Sequence, residues 1–415
     1  MTSRRNDWPE KVSLHIFITR SIVQVNSRFK AFLNSIAFLL FFVSLSPVAS
    51  AHEWTELGSM ERARFAASAF QYKHDFYIFN GFKKGVDLEP TIERFSADSL
   101  TWEILGSTNV LGTSVTHNGV TLVGSDVWVI GGRQGDHPGP VVETVSIYNI
   151  DEDAWRPGPS LPVPVAGGGA ALVNNKVHWV GGLDQFAQCD LPHHYVYDLD
   201  NPETGWQDIT DVAPMPTPRN HFGTAVFDGL IYTIGGQVGH GGCATGNTGD
   251  TNLVHTYNPE TKEWLQKASL PSIQSHIEPG TFVHAGAIYV LGGTTEGSAI
   301  FRYNPANDTW DTLFDLPEDL VAPAGRVVHR HLVVASGGAP SFKYPTGATR
   351  YTDVAPLLLP QSAPPASERD VNVAEQSPAE QSPIEFNGDG DGDAAQAIDG
   401  TPTASERKAQ HHKQQ

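Results

Sequence analysis

The sequence of 415 residues predicts an all-β fold built from six repeated units. Two features carry the prediction: a pair of adjacent glycines and a lone tryptophan, each recurring along the chain with a similar spacing. Short apolar segments and turn residues lie between them, and helical periodicity is absent. The pairs are Gly131-Gly132, Gly181-Gly182, Gly235-Gly236, Gly292-Gly293 and Gly337-Gly338, with an imperfect first copy at Asn80-Gly81. The tryptophans are Trp54, Trp102, Trp155, Trp206, Trp264 and Trp310.

The fourth unit shows that each repeat holds four strands. Two apolar segments, residues 223–227 and 230–234, flank the tight-turn dipeptide Asp228-Gly229, and the second segment ends at the glycine pair. After a loop, a third segment at 253–257 leads through a turn to a strand that carries Trp264. Short strands with evenly spaced turns favour a closed all-β architecture.

An aromatic residue precedes the tryptophan by seven positions in four units. These residues are Phe95, Tyr148, Tyr257 and Tyr303. Together with the glycine pair and the lead-in Met215-Pro216-Thr217-Pro218-Arg219, this pattern resembles kelch repeats. The resemblance covers about residues 52–358 and implies a six-bladed β-propeller. The repeating tryptophans are then expected to pack within the blade sheets, and we expect Trp128 and Trp179 to be core residues as well.

The ring is expected to close by sharing a blade between the two ends of the repeat region. After the last glycine pair, residues 348–354 form a third strand, but no tryptophan strand follows. The spare strand lies around Trp54. We predict that it completes the last blade, which removes the open sheet edges.

Residues 1–51 are predicted to be a secretory leader with a long basic first part. An apolar run at 36–43 is followed by Ala49-Ser50-Ala51, which has the small-x-small form of a cleavage site, so the mature chain is expected to begin at His52. The run is shorter than the roughly 20 apolar residues of a membrane span. We therefore expect a secreted or periplasmic protein with no membrane span after cleavage; an uncleaved anchor is the alternative.

Residues 359–415 form an acidic tail rich in Pro, Ser, Gln and Ala, which is expected to be disordered because it cannot bury a core. Its segment 387–393 resembles the start of a calcium loop, but Ile398 stands where a bidentate acid is needed. We expect an acidic linker there.

The formal net charge of −19 argues against a nucleic-acid partner, because an acidic body repels phosphate backbones. We expect a monomer. The two cysteines, Cys189 and Cys243, each lie seven residues after a glycine pair and so occupy equivalent loops. An exported protein can form a disulfide, and we expect one between them; free thiols and a soft metal site are the alternatives.

Departures from the repeat indicate where a ligand could bind, since the loop before the first strand and the loop after the second share one face of a propeller. The residues sixteen positions before each pair are Arg64, Val115, Val165, Arg219, His276 and Val321. Two positions later stand Ala66, His117, Gly167, His221, Glu278 and Pro323. The polar members gather in the first, fourth and fifth units.

From these loops we select eleven candidate ligand-binding residues. They are Arg64, Arg133, His137, Gln185, Arg219, Asn220, His221, Gln237, His240, His276 and Glu278. Arginine can bind a carboxylate or a sugar acid, whereas histidine and glutamate can transfer protons. For acid–base work the candidates are His276, Glu278 and Arg219, although an arginine in a kelch lead-in can instead tie blades together.

A metal site formed by His193, His194, His221, His240 and His276 lacks any known ligand spacing. We expect no metal and no cofactor. The leading hypothesis is a secreted kelch binding protein that recognises a glycan or an exported protein through the polar loop face. The alternatives are a carbohydrate-active enzyme, such as a sialic-acid-type mutarotase or epimerase, and a structural protein held at the cell envelope by its tail.

Overall fold

The computed structural model describes residues 52–111, 114–239, 248–294, 297–338 and 345–353. All of them fall within the unit 1–360 of the chain, and the second unit, 361–415, lies outside them. The predicted leader, the predicted tail, His240 and Cys243 also lie outside the described residues.

The described residues form six sheets of four antiparallel strands, the blades of a propeller. The N-terminal strand is β1 (Thr55–Leu57). Blade one contains β2 (Ser68–Tyr72), β3 (Asp75–Phe79), β4 (Thr91–Ser96) and β5 (Thr101–Ser107). Blade two contains β7 (Gly119–Val123), β8 (Asp126–Ile130), β10 (Val145–Asn149) and β11 (Ala154–Pro157), and beside it β6 (Val115–Thr116) pairs with β9 (Arg133–Gln134). Blade three contains β12 (Gly169–Val173), β13 (Lys176–Val180), β14 (His194–Asp198) and β15 (Trp206–Asp208).

The second half of the ring repeats this arrangement. Blade four contains β16 (Gly223–Phe227), β17 (Leu230–Ile234), β20 (Val254–Asn258) and β21 (Glu263–Gln266), and beside it β18 (Gln237–Val238) pairs with β19 (Gly249–Asp250). Blade five contains β22 (Thr281–His284), β23 (Ala287–Leu291), β24 (Ile300–Asn304) and β25 (Thr309–Thr312). Blade six contains β26 (Ala324–Val328), β27 (His331–Ala335), β28 (Thr349–Asp353) and β1. Short 3-10 helices lie at Thr108–Leu111 and Pro202–Thr204. None of the helices in the described part of the chain could cross a membrane.

Six innermost strands, one from each blade, surround a central channel. β2, β7, β12, β16, β22 and β26 contact one another in sequence, and β26 contacts β2, which closes the ring. These strands approach so closely that a Cβ added at Gly169 or Gly223 would lie 2.2 Å from a threonine oxygen of the next blade. Small residues on the inner strands therefore set the width of the channel.

The second strand of a blade packs between two neighbouring blades, which explains its nearly continuous apolar sequence. Every residue of β23 is buried, and in β17 only the first residue is partly exposed. The turn between β16 and β17 has the predicted Asp228-Gly229 dipeptide, with φ of 49° and 71°. Two positive φ values match the type I′ geometry that joins antiparallel strands with the correct twist.

The predicted closure of the ring is confirmed. β1 pairs with β28, with Thr55 opposite Tyr351 and Leu57 opposite Thr349. Trp54, immediately before β1, packs on the core between blades five and six. The first described strand therefore completes the last blade, and the two ends of the repeat region are joined.

The repeating tryptophans pack in the sheets and also connect neighbouring blades. Each of Trp102, Trp155, Trp206, Trp264 and Trp310 lies directly opposite an aromatic residue of the third strand. Five indole Nε1 atoms, including that of Trp54, donate to the preceding blade at 2.8–3.2 Å. The acceptors are Thr349 Oγ1 for Trp102 and the carbonyl oxygens of Pro159, Ala213, Ala268 and Asp315 for Trp206, Trp264, Trp310 and Trp54. Trp128 and Trp179 are buried, as expected.

The glycine pairs share one backbone conformation, which corrects the position of the last pair. Gly131 and Gly132 have φ of 59° and 109°, and the other glycine pairs are similar. In blade six the matching residues are Ser336 and Gly337, at 66° and 105°. The pair is thus Ser336-Gly337 rather than Gly337-Gly338.

Removing residues 52–58 should destabilise the propeller, because it deletes β1 and Trp54 and leaves β28 as an unpaired edge. We expect the free energy of unfolding, measured by urea denaturation, to fall by about 3 kcal/mol or more, as when a packed tryptophan is lost. Glu56→Ala, an exposed position on β1, is the control and should change stability by less than about 0.5 kcal/mol. A shortened chain that unfolds at the same urea concentration as the full chain would contradict this closure.

Candidate functional site

In each of the six blades, one residue of the segment that leads into the innermost strand adopts the same left-handed backbone conformation. These residues are Ala66, His117, Gly167, His221, His276 and Ala322, with φ between 49° and 67°. They belong to the segments that enter the inner strands, at one mouth of the channel. Three of the six are histidines, and these come from blades two, four and five.

This conformation corrects the sequence register in blades five and six. The N–H of Gly182 donates to the carbonyl of Arg219, and the corresponding N–H groups of Gly236 and Gly293 donate to Gln274 and Leu320. The positions equivalent to Arg219 are therefore Gln274 and Leu320, whereas counting along the sequence placed His276 and Val321 there. His276 is equivalent to His221.

Main-chain hydrogen bonds between neighbouring blades bring the three histidines together. Gly167 N–H donates to His117 O at 2.6 Å, His221 N–H to Gly167 O at 2.9 Å, and His276 N–H to His221 O at 3.0 Å. The ring centroids of His117 and His221 are 5.1 Å apart. Those of His221 and His276 are 4.1 Å apart and nearly parallel, at 15°.

Glu278 adds a carboxylate to these rings. Its Oε1 lies 3.0 Å from His221 Nδ1, across the boundary between blades four and five. The Glu278 side chain is 34% exposed and that of His221 is 8% exposed, so the pair lies at the edge of solvent. We call His117, His221, His276 and Glu278 the histidine cluster.

The cluster borders a cavity of about 120 Å³ in the channel. Small inner-strand residues such as Ala69 and Gly169 line much of it. Arg326 of blade six also lines the cavity; its guanidinium donates to the carbonyls of Pro279 and Ala69 at 2.8 and 2.6 Å, in blades five and one. Burial lowers the pKa of Arg326 to about 10. Sequence reasoning did not select Arg326, because it lies within a strand rather than in a loop.

A chain of hydrogen bonds orients the ring of His276. The Thr294 hydroxyl donates to the Asp250 carboxylate, so the Ser275 hydroxyl, 3.2 Å from Thr294 Oγ1, donates to Thr294. Ser275 Oγ then accepts from Nδ1 of His276, 2.9 Å away. The network assigns the imidazole proton of neutral His276 to Nδ1 and ties the ring to β19 of the neighbouring blade. Ser275, Thr294 and Asp250 were not among the eleven candidates.

His117 completes the cluster as a neutral imidazole. Burial, together with the nearby His221 and Arg133, holds its pKa well below the usual value. Its Nδ1 is 2.9 Å from Thr116 Oγ1. Counting from the glycine pairs already placed His117 at the position equivalent to His221. That equivalence was the sequence signal for its role, but His117 was not among the eleven candidates.

Arg133 and His137 border the cluster on the blade-two side. The His137 ring lies 6.3 Å from that of His117, and burial lowers the pKa of both His137 and Arg133. Arg133 Nη1 donates to Gly139 O at 3.3 Å. These two candidates are therefore brought to the same side of the channel mouth as His117.

Arg219 lies inside a blade and not at the channel mouth. Its guanidinium is fully buried and donates to main-chain carbonyls at 2.7–3.2 Å. The acceptors are Pro216, Thr217, Thr233 and Gly235. Burial lowers its pKa to about 9. We assign Arg219 to the structure, which is the alternative that the kelch lead-in allowed.

Arg64 has a similar place in blade one, with a carboxylate partner. It forms a fully buried ion pair with Glu93 and donates to the carbonyls of Asn80 and Thr91 at 3.2 and 2.8 Å. Glu93 also accepts the N–H groups of Glu61 and Arg62. Arg64 is therefore a structural residue as well.

The remaining candidates lie in the loops around the cluster. Asn220 is buried and donates to Asp190, and Gln237 donates to Asp250 Oδ1 at 3.1 Å. Gln185 is exposed on the loop after β13. Cys189 lies on that same loop, but Cys243 is outside the described residues, so the disulfide stays a prediction.

His194 lies in the interior between blades three and four. Its Nδ1 is 3.0 Å from Ala213 O, and its Nε2 is 3.0 Å from His178 Nδ1. Burial lowers the pKa of His178 to about 3 and that of His194 to about 4. Both imidazoles are therefore neutral near pH 7, and His194, which the sequence analysis considered only as one of five histidines for a metal site, lies away from the channel mouth.

Six four-stranded blades arranged around a central channel define a six-bladed β-propeller. The KLHDC2/KLHL20/DRC7 Kelch-repeats domain matches residues 117–338, more than half of the chain. The chain belongs to the kelch-repeat family.

Similar proteins carry kelch repeats in longer chains. Kelch-like protein terF of Aspergillus terreus is 30% identical over 261 residues, covering 58% of this chain and 51% of its own length. Kelch-like protein 23 of Homo sapiens is 27% identical over 250 residues, 59% of this chain and 40% of its own. Kelch repeat and BTB domain-containing protein 1 of Ectromelia virus is 26% identical over 252 residues, 59% of this chain and 41% of its own. This chain thus matches about two fifths to one half of each relative.

Glu93→Leu should destabilise the protein strongly, because it leaves the guanidinium of Arg64 buried without its partner. We expect a loss of about 3–5 kcal/mol in urea denaturation. The double variant Arg64→Met with Glu93→Leu removes both charges and should lose less than the sum of the two single variants. A Glu93→Leu variant as stable as the parent would show that the pair is dispensable.

Acid should destabilise the boundary between blades three and four. The folded-state pKa values of His178 and His194 lie below the unfolded value near 6.5, so the unfolded state binds more protons and stability falls as the pH drops below about 6.5. Each histidine should cost about 2 kcal/mol at pH 5 relative to neutral pH.

His178→Asn keeps a donor towards His194 but cannot titrate. The free energy of unfolding should therefore fall less between pH 7 and pH 5 in this variant than in the parent, by about 2 kcal/mol. An unchanged pH dependence would contradict the neutral buried state of His178.

Proposed function

We propose that this propeller is an exported binding protein whose ligand docks on the loop face, centred on the histidine cluster. The observation that carries the proposal is the convergence of His117, His221, His276 and Glu278 from three blades at the channel mouth. The equivalent residues of the other three blades are alanine or glycine. The repeat itself does not require polar side chains at these positions, so their presence is best explained by a ligand.

The surroundings of the cluster favour a protein ligand over a glycan. Exposed apolar side chains lie on the loops of the same face: Val110, Val163, Phe186, Val212 and Ile273. A polar centre with apolar side chains around it suits a protein–protein interface. The repeat tryptophans, which could have stacked on sugar rings, pack within the blades instead. Export is supported by the leader-like sequence of residues 1–51.

The site supports binding, and we assign no chemical step to it. The His221–Glu278 pair has the residue types for proton transfer, which is why a sugar mutarotase remains the competing hypothesis. The two hypotheses differ in the ligand, and a binding experiment with both ligand classes separates them.

The double variant His276→Ala with Glu278→Gln should lose ligand binding. The full chain is used to select binders from a displayed random-peptide library, and selected peptides are then titrated against parent and variant. We expect at least a tenfold weaker affinity, since two polar partners at the centre of the interface are lost. The control is Glu260→Gln with Lys262→Ala, in an exposed turn at the opposite end of blade four, which should bind as the parent does.

A glycan array is probed with the same proteins. Peptides that bind parent and double variant equally would overturn the assignment of the site. If a glycan binds the parent saturably and the double variant does not bind it, the ligand is a sugar and not a protein. If the parent also accelerates the anomeric equilibration of that sugar, the protein is a mutarotase.

A further inference from the structure

We propose that Asn307 is an N-glycosylation site, modified when the chain passes through a eukaryotic secretory pathway. Asn307-Asp308-Thr309 is the one match to Asn-x-Ser/Thr, with x other than proline, in the 415 residues. Two of the relatives named above come from eukaryotes. The inference rests on the export part of the proposed function, and it adds a covalent modification that the binding site does not require.

The motif lies in an exposed turn at the rim of blade five. It connects β24 to β25, and Asn307 and Thr309 are both exposed. Turns between third and fourth strands lie at the opposite end of the propeller from the segments that enter the inner strands. An oligosaccharide on Asn307 therefore leaves the histidine cluster open to its ligand.

The side chains of the motif point in alternating directions. The middle residue, Asp308, turns inward: its Oδ1 accepts the Tyr303 hydroxyl at 2.6 Å and the N–H of Ala268 at 2.9 Å. Thr309 Oγ1 donates to Asn307 Oδ1 at 2.7 Å. This bond occupies the carbonyl oxygen of the amide, so Nδ2, the atom that accepts the sugar, is directed away from the threonine.

Asn307 differs from the asparagine that builds the same turn. Asn304 Oδ1 accepts the N–H of Ala306 at 3.0 Å, and Asn258 Oδ1 accepts the N–H of Glu260 at 2.9 Å in the equivalent turn of blade four. These are turn-forming bonds that a modified amide would disturb. Asn307 bonds to a neighbouring hydroxyl instead, so its amide can be modified without loss of the turn.

The transfer balances with a lipid-pyrophosphate-linked oligosaccharide as the donor. Asn307 Nδ2 forms a bond to the anomeric carbon of the first sugar while the bond from that carbon to the phosphate oxygen breaks. The lipid pyrophosphate leaves with the electron pair, and the amide loses one proton to a base. No oxidation or reduction occurs.

The test expresses the full chain in yeast cells behind two leaders, its own residues 1–51 and a proven secretory leader placed before His52. Gel mobility is compared before and after treatment with peptide N-glycosidase, which leaves aspartate at a modified position. We expect a shift that the enzyme removes and an aspartate at 307 by mass spectrometry. Asn307→Gln and Thr309→Ala should abolish the shift, while Thr309→Ser should retain it. Asn258→Gln, in the matching turn of blade four, should leave the shift unchanged.

The two leaders separate the two proposals. A shift with the secretory leader but not with residues 1–51 supports the site and contradicts export by the chain's own leader. Absence of the shift from protein recovered behind the secretory leader overturns the glycosylation site, whatever the natural leader does. A shift that persists in Asn307→Gln also overturns it.

Discussion

Neighbouring blades are joined main chain to main chain, and this close contact constrains most of the molecule. The second residue of each glycine pair donates its N–H to the entry segment of the next blade, as Gly132 does to Val165 O at 2.8 Å. A Cβ on the preceding residue, Gly131, would lie 2.6 Å from that same carbonyl. At Gly131 the contact therefore needs glycine. The contact also fixes the entry segment of the next blade, in which the left-handed residue follows two positions later. The position of the histidine cluster follows from this contact.

At each of the two imperfect pairs, the side chain of the first residue forms a hydrogen bond across the boundary between blades. Asn80 Oδ1 accepts the Thr108 hydroxyl at 2.6 Å, which ties blade one to the segment leading into blade two. Ser336 Oγ donates to Arg64 O at 2.7 Å, and Gly337 N–H donates to the same oxygen. Both exceptions adjoin blade one, next to the ring closure, where the Arg64–Glu93 pair is also buried. Side-chain bonds thus reinforce blade one, which follows the blade at which the ring is closed.

The scaffold could be predicted from the sequence because its signals are local. Turn dipeptides, glycine pairs and paired aromatic residues recur from one repeat to the next. The site could be predicted only in part. Counting from the glycines fails where a loop changes length, so blade five has Gln274 where the count gives His276. The sequence cannot tell whether Arg64 and Arg219 bind a ligand or a buried main-chain carbonyl, because the residue type is the same in both cases. Only the packing of the folded protein separates these two roles. The His221–Glu278 contact joins residues that are 57 positions apart, and the spacing of the repeat does not predict it.

The six left-handed positions at the channel mouth explain how one scaffold can carry a specific site. Ala66 and Ala322 adopt this conformation, so a β-carbon is tolerated there, although L-residues pay about 1–2 kcal/mol for it. Gly167 avoids that cost. Histidine at the other three positions gains nothing for the backbone, yet the ring of His221 lies 5.1 Å from that of His117 and 4.1 Å from that of His276. A glycine at these three positions would remove the backbone strain, but it would also remove the histidine ring. Strained residues of this kind concentrate at functional sites. The fold therefore fixes the backbone of all six positions and leaves their side chains free to match a ligand.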